Sequence, residues 1–551
     1  MRVAPGELSK KIAGREKTEY QMIAHTSGDW SSLFHLSDNR ANVVEWIDVA
    51  PGKSALEIGA QCGAVSAVIA KKYERYVALD SSAEMAAGFE LRKDIDGIEY
   101  VVSTTEAYVS DHKEKFDDIY LISNFKEEDI KAAYGALKEG GRLILATENK
   151  YGLKYWAGTR EDTTDDLYAG IEGRIDVFTK KSLTSALENI GVKNADWYYP
   201  YPDLYFTTTI YSDNHLPQQG ELIQNVTNYH SDRIVAFKEE KAYDAIIKEG
   251  DYPLFANSFL VIAYKDKTSE EKPTYIKYSK ERAKEFAIRT EIINNKYITK
   301  SALYPKGKAH VDAMKEKYDA LSPIYESHGI YLNKYEEKDG QIRYQFIKGE
   351  NLQEKIEDLI QTSREAEAEA LFDTYVRKCF LDVEVVDFKN TDVFQEVYGP
   401  IDIPQSTKAY EKADVDLICS NIFVENDRWN VIDYEWAVDF PIPAKYVIYR
   451  SLFLAHHQIK KCDFLKLEHL MEKYNITKEE QHLFTKMEEN FQNYVRKGMP
   501  SNMDIFYTMG QQFYTIPDLL RIKDEYEEEK PLKKEKRTVC QRLKEKLTMR
   551  F

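Results

Sequence analysis

Cysteine is scarce in this 551-residue chain: Cys62, Cys379, Cys419, Cys462 and Cys540 are all there is, with no CxxC spacing. That argues against a zinc site and against a disulfide framework, and the thiols read as reduced and structural. Long apolar runs are missing too. No stretch approaches the ~20 residues that cross a bilayer, and the opening MRVAPGELSKKIAGREKTEY has no apolar core of a secretory signal. A cytoplasmic protein is expected. Positive charge is outweighed, with 76 Lys and Arg against 93 Asp and Glu and a formal net charge of -17. Neutralising a phosphate backbone needs a basic face, so no nucleic-acid partner is expected.

What is present is 43% apolar residue content with 39 tyrosines, which makes the chain globular. Its length implies roughly two to four domains. The stretch SALEIGAQCGAVSAVIAKKYERYVALD, Ser54 to Asp80, reads as a strand (Ala55 to Ile58), a glycine turn (Gly59 to Gly63), a helix (Ala64 to Tyr73) and a second strand ending on Asp80. In such a βαβ unit the turn offers backbone N–H groups to a ligand, and an acid at the end of the second strand can accept ribose hydroxyls. Alternation continues through a helix at Ala83 to Arg92, strands at Ile98 to Ser103 and Phe116 to Asn124, a helix at Lys126 to Leu137 and a strand at Arg142 to Thr147. The expected fold is α/β, a doubly wound, mainly parallel seven-stranded sheet completed by Trp197 to Tyr199 and Ser258 to Tyr264. Residues 1 to 20 read as loosely held, and YPYPDLYFTTTIYSDNHLP as too irregular for core. Tyr20 to Val49 reads either as a cap over the ligand or as a helix on the sheet edge.

The expected boundaries are an N-terminal segment 1–41, a sheet domain 42–265, a linker 266–274, a second domain 275–520 and a charged tail 521–551. The second domain is sheet-first and helix-later, an α+β pattern. In the tail, Val539, Leu543 and Leu547 recur every four residues among lysines and arginines. A basic amphipathic helix of this kind suits an anionic membrane or a partner; a solvated tail is the other reading.

Glu57-Ile-Gly59-Ala-Gln61-Cys-Gly63, with Asp80 and the LKEGG turn at Leu137 to Gly141, resembles the first motif, ribose acid and late turn of class I S-adenosylmethionine-dependent methyltransferases. The resemblance implies S-adenosylmethionine as cofactor, held by Glu57, Gly59, Gln61, Gly63, Asp80 and Asn124. Gln61 stands where that family has its middle glycine. His35, Glu148 and Asn149 lie near element ends, but no acceptor base is readable, and aligning the acceptor can suffice.

Asp416-Leu-Ile-Cys-Ser-Asn421, with Asp433 twelve residues after the Asn, resembles the catalytic loop and metal-binding Asp of the kinase and aminoglycoside-phosphotransferase fold. That resemblance implies Mg-ATP, Asp416 as the catalytic Asp, Asn421 and Asp433 as magnesium ligands, and Lys300 with Glu316 in the nucleotide site. No glycine loop precedes Lys300, and Val415 stands before the catalytic Asp. The two domains in series resemble bifunctional methyltransferase-kinases of bacterial surface polysaccharide synthesis. This implies a glycan or small-molecule acceptor, and recruitment to the inner membrane face through a glycosyltransferase bound by the tail. A non-catalytic scaffold of two degenerate domains, and a methyltransferase acting on a small molecule, are the alternatives.

Overall fold

A computed structural model describes residues 5–95, 97–162, 164–225, 229–265, 271–279, 281–338, 341–425, 428–459 and 462–529. The expected tail helix around Val539 to Leu547, with Cys540, and most of the linker 266–274 lie outside the described residues. The chain divides into two compact units, Met1–Glu270 with Ser501–Phe551, and Glu271–Pro500. The first break falls inside the expected linker. The second comes earlier than the expected 520, because the strand Phe513–Thr515 pairs in parallel with Arg233–Val235 of the first unit.

The first unit is built on β1 (Ser54–Ile58), β2 (Arg75–Asp80), β3 (Glu99–Val102), β4 (Phe116–Ile122), β5 (Leu137–Glu148), β6 (Asn194–Tyr201), β7 (Thr209–Ser212), β8 (Arg233–Val235) and β9 (Ser258–Tyr264). All but β8 lie side by side in the order β3-β2-β1-β4-β5-β9-β6-β7. The pairs from β3 through β5 are parallel, and β9 runs antiparallel to both β5 and β6. The sheet is therefore α/β and mainly parallel, with one strand more than expected. Central strands of such a sheet are covered on both faces and need near-continuous apolar runs. SFLVIAY of β9, buried at every position, is one. Strand order reverses between β1 and β4, and the crevice beyond the carboxyl ends of those strands is where an open α/β sheet binds ligands.

Three expectations change. Residues 5 to 20 are not loose: Leu8, Ile12 and Tyr20 are buried with Leu36, Cys62 and Met85. Leu8 and Ile12 are one helical turn apart on Pro5–Ile12, a short apolar stripe hidden in a polar sequence. The YPYPDLYFTTTIYSDNHLP segment is core: Leu204, Tyr205, Phe206, Ile210 and Tyr211 are buried, and β7 lies within it. Its irregularity is a turn in which Asp203 Oδ1 accepts from the Tyr205 and Phe206 N–H groups at 2.9 and 3.1 Å. The helix after the glycine turn is only Ser66–Ile69, continued by a 3-10 turn at Ala70–Lys72.

The second unit begins with β10 (Pro273–Ser279), β11 (Ile288–Ile293) and β12 (Tyr297–Ala302). The helix Lys308–Glu326 follows, then β13 (Ile330–Leu332), β14 (Tyr335–Lys338) and β15 (Gln341–Gln345). Antiparallel pairing joins β10-β11-β12-β15-β14. Helices Leu352–Gln361, Glu365–Val376, Ala444–Gln458 and Lys478–Arg496 make up much of the remainder, so the α+β pattern holds for this unit.

Candidate functional site

The glycine turn sits at the strand-order reversal of the first unit. Gly59 N–H and Ala60 N–H donate to Leu79 O at 2.8 and 3.1 Å, tying the turn to the end of β2. Gly59, Gln61 and Gly63 have φ of 79°, 50° and 78°. Two of these three left-handed residues are glycine because a Cβ costs there. At Gly63 it would also meet Phe89 Cε2 at 2.7 Å. Gln61 keeps the glycine-like conformation, and its N–H donates to Asp80 Oδ2 at 2.9 Å. Asp80 Oδ1 accepts from Ser82 N–H, also at 2.9 Å. The acid is thereby fixed beside the turn.

Glu57 is placed differently from the expectation. It is 2% exposed, and it lies beneath the turn, where its carboxylate accepts from Ser66 Oγ and from Tyr76 OH. Burial pushes its pKa up to about 7. It pins the following helix to β1 and does not line the cavity.

The cavity, about 580 Å³, is lined by Gly59, Gln61 and Asp80, by Ser123 and Asn124 at the end of β4, and by Trp30, Phe34 and His35. Its size is in the range that takes a drug-sized ligand. Trp30, Phe34 and His35 lie on the helix Trp30–Leu36, whose N-cap Asp29 accepts from Ser32 N–H. Of the segment Tyr20 to Val49, the helix Trp30–Leu36 lies against the cavity. His35 is kept neutral, since burial and the nearby Arg40 and Arg92 push it down to about 3.

Sequence reading passed over Arg40. Its side chain is buried, packed over Phe34 at 4.0 Å and Tyr205 at 4.8 Å. Its Nε and Nη1 have no hydrogen-bond partner among the described residues. Those atoms are buried, and Arg40 stands behind Phe34 and Tyr205, which line the cavity, without lining it itself. Burial pushes even this arginine down to about 10. Only the fold announces it, because a lone Arg before a strand has no spacing signature.

Glu148 and Asn149 lie behind the cavity. Glu148 is paired with Lys154 at 2.7 Å and pushed up to about 8 by burial, and Asn149 Nδ2 donates to Leu254 O and Ala256 O. Asp162, on the cavity wall, was also not anticipated.

In the second unit Lys300 Nζ on β12 donates to Asp433 Oδ1 at 2.8 Å and lies 3.7 Å from Glu435 Oε2. Glu435 further takes Arg282 Nη1 and His310 Nε2 at 2.5 and 2.9 Å. Burial would raise the Glu435 carboxyl, but Arg282, His310 and Lys300 outweigh it and hold it well below the usual range. Glu316 is not among Lys300's partners. It is exposed, while His310 and Lys317, on another face of the same helix, reach Glu435; neighbours on a helix point about 100° apart.

Asp416 Oδ1 accepts from Arg450 at 2.6 Å, and Asn421 Nδ2 donates to Asp416 O at 2.9 Å. Burial raises the Asp416 carboxyl against the pull of Arg450. Asn421 and Asp433, expected as magnesium ligands, are thus both engaged by protein groups. Among the described residues no cluster of three His, Cys, Asp or Glu side chains is arranged to hold a metal.

No protein-family model matches the chain, and no curated relative does. Solved structures similar to it include S-adenosylmethionine-dependent methyltransferases. One from Archaeoglobus fulgidus is 13% identical and covers 39% of this chain and 86% of its own, with a TM-score of 0.25. One from Thermotoga maritima is 13% identical over 47% of this chain and 99% of its own, with a TM-score of 0.26. The Haemonchus contortus phosphoethanolamine N-methyltransferase 2, solved with S-adenosylhomocysteine, is 14% identical over 42% of this chain and 52% of its own, with a TM-score of 0.27. The functional reading rests on the geometry above.

Proposed function

We propose that the first unit is an S-adenosylmethionine-dependent methyltransferase. The observation that carries this reading is the left-handed turn at Gly59, Gln61 and Gly63, locked to Asp80 by the Gln61 N–H and opening on a cavity at the strand-order reversal. The residues suit the cofactor: Asp80 for ribose hydroxyls, and the close approach that Gly59, with no side chain, allows for the amino-acid portion. When bound, S-adenosylmethionine supplies a methyl group on a sulfonium. The chain aligns an acceptor, keeps water out with Trp30 and Phe34, and presents Asn124 at the carboxyl end of β4.

Isothermal titration with S-adenosylmethionine and S-adenosylhomocysteine tests this, with NAD and ATP as controls. Micromolar binding of the methyl cofactors, lost on Gly63→Val, is expected; a chain that binds neither sinks the reading.

A second reading, that the other unit transfers phosphate from Mg-ATP, is favoured by the Lys300–Asp433 contact and by Asp416 held at Arg450. Stabilisation by Mg-ATP that disappears in Asp433→Ala is expected; an unchanged melting curve with Mg-ATP removes it. A glycan acceptor and recruitment to the membrane through a glycosyltransferase remain part of the proposal. Unchanged membrane fractionation after deletion of residues 531–551 would remove the recruitment.

A further inference from the structure

The ionisable side chains around the cavity are unbalanced. Asp80, Glu106, Glu128, Asp129 and Asp162 line it against a single lysine, Lys126, and His35 is neutral. Two of these acids are already engaged by the chain itself. Asp80 holds backbone N–H groups, and Asp129 takes Thr105 Oγ1 at 2.6 Å and Lys126 N–H at 3.0 Å. Asp162 is engaged otherwise: burial pushes its carboxyl up, and Lys154, His230 and Arg40 pull it back. It stands on the wall with Trp30 and Tyr205, away from the turn in sequence and strand, and it has His230 behind it.

His230 has only 8% of its side chain exposed, its Nδ1 is 3.4 Å from Asp162 Oδ1, and neither ring nitrogen makes a hydrogen bond among the described residues. Its ring packs on Trp30, with centroids 5.3 Å apart. Asp162 and Trp30 both line this end of the cavity, and a carboxylate together with an aromatic ring recognises a cation.

We infer that the Asp162–Trp30 end of the cavity is a binding site for an amine, the ammonium group meeting the Asp162 carboxylate and the Trp30 face. This deepens the methyltransferase reading and rests on it for its meaning, since the amine would be the methyl acceptor: the ammonium first yields a proton to the Asp162 carboxylate, and the freed nitrogen lone pair then forms the N–C bond as the S–C bond of S-adenosylmethionine breaks and S-adenosylhomocysteine leaves. It narrows the acceptor to nitrogen, and among glycans to amino sugars. His230 is then a positioning residue that fixes the Asp162 carboxylate.

Calorimetric titration of the full chain with matched probes tests the site: phenethylamine against 2-phenylethanol, and glucosamine against glucose, each with and without S-adenosylhomocysteine. At least one amine is expected to bind ten-fold or more tighter than its alcohol. Asp162→Asn should abolish that preference while leaving the Kd for S-adenosylhomocysteine within three-fold. Equal or tighter binding of both alcohols, or a preference that survives in Asp162→Asn, overturns the inference. If Asp162→Asn does not fold by circular dichroism, Trp30→Leu takes its place, and an undiminished preference there counts against the site. An amine preference in a chain that ignores S-adenosylhomocysteine would keep the amine site and defeat the methyltransferase reading; cofactor binding with no amine preference does the reverse.

Discussion

In the first unit most residues marked by motif spacing border open space, whereas in the second most of them hold one another. Gly59, Gln61, Asp80 and Asn124 border a cavity, with the unpartnered guanidinium edge of Arg40 nearby. Lys300, Asp433 and Glu435 are joined with Arg282 and His310 into a buried charge network. Arg282 comes from the β10–β11 connection, the place where a nucleotide-binding loop would need glycine. A glycine loop leaves backbone N–H groups free for phosphate; here the loop contributes a cation already paired to Glu435. Matching spacing in the two units thus corresponds to different states of readiness, one with polar capacity to spare and one with its charges internally satisfied.

The comparison breaks most visibly at Glu435. Removing one partner of a buried ion network strands the others, at a cost of about 3–5 kcal/mol. Glu435→Ala is therefore expected to lower the stability of the second unit by that amount in urea melts. A loss below about 1 kcal/mol would show that Arg282 and Lys300 are not dependent on it, and that the site is freer than its geometry says.

In the first unit the counterpart is Gly63→Ala. Left-handed strain of 1–2 kcal/mol adds to overpacking of 1–3 kcal/mol against Phe89, so about 3 kcal/mol of stability should be lost, together with S-adenosylhomocysteine binding. Retained binding would mean that Phe89 yields and that the turn tolerates a methyl group.

Glu57 gives the contrast a pH dependence. Its folded pKa, raised by burial from 4.5 to about 7, means that the native state holds the proton more tightly than the unfolded chain. Its contribution is full below pH 4.5 and is lost as pH rises through 7, about 3 kcal/mol in all. Glu57→Gln, which can still accept from Ser66 and Tyr76, should flatten that decline and leave the protein more stable at pH 8. A wild-type stability curve flat from pH 4.5 to 8 in urea melts would show that Glu57 is not buried as a carboxylic acid.

What could be read from sequence follows from range. The alternation of strands and helices, the turn, Asp80 and the boundary near residue 270 are local patterns, with periods of two and 3.6 and glycine where φ is positive. Arg40, Asp162 and His230 are neighbours of the site only through tertiary packing, and none has a local signature. Glu57 and Glu316 were given the right elements and the wrong directions. Glu57 points under its turn, and Glu316 lies one residue from Lys317, the side chain that turns toward the charge network. Leu8 and Ile12 were missed because two apolar residues in a polar segment fall below any periodicity signal, although one helical turn suffices to bury them.

The smallest effect concerns Gln61. Its φ of 50° costs about 1–2 kcal/mol relative to glycine, offset by the larger unfolded-state entropy of glycine, about 0.4–1 kcal/mol. Gln61→Gly should therefore stabilise the protein by only about 0.5–1 kcal/mol. The backbone already has the conformation a glycine would take, and the N–H bond to Asp80 does not involve the side chain. The Kd for S-adenosylhomocysteine should accordingly change less than three-fold. A ten-fold gain in affinity would mean that the glutamine side chain, which lines the cavity, obstructs the cofactor, and that the first unit is itself partly closed in the way the second is.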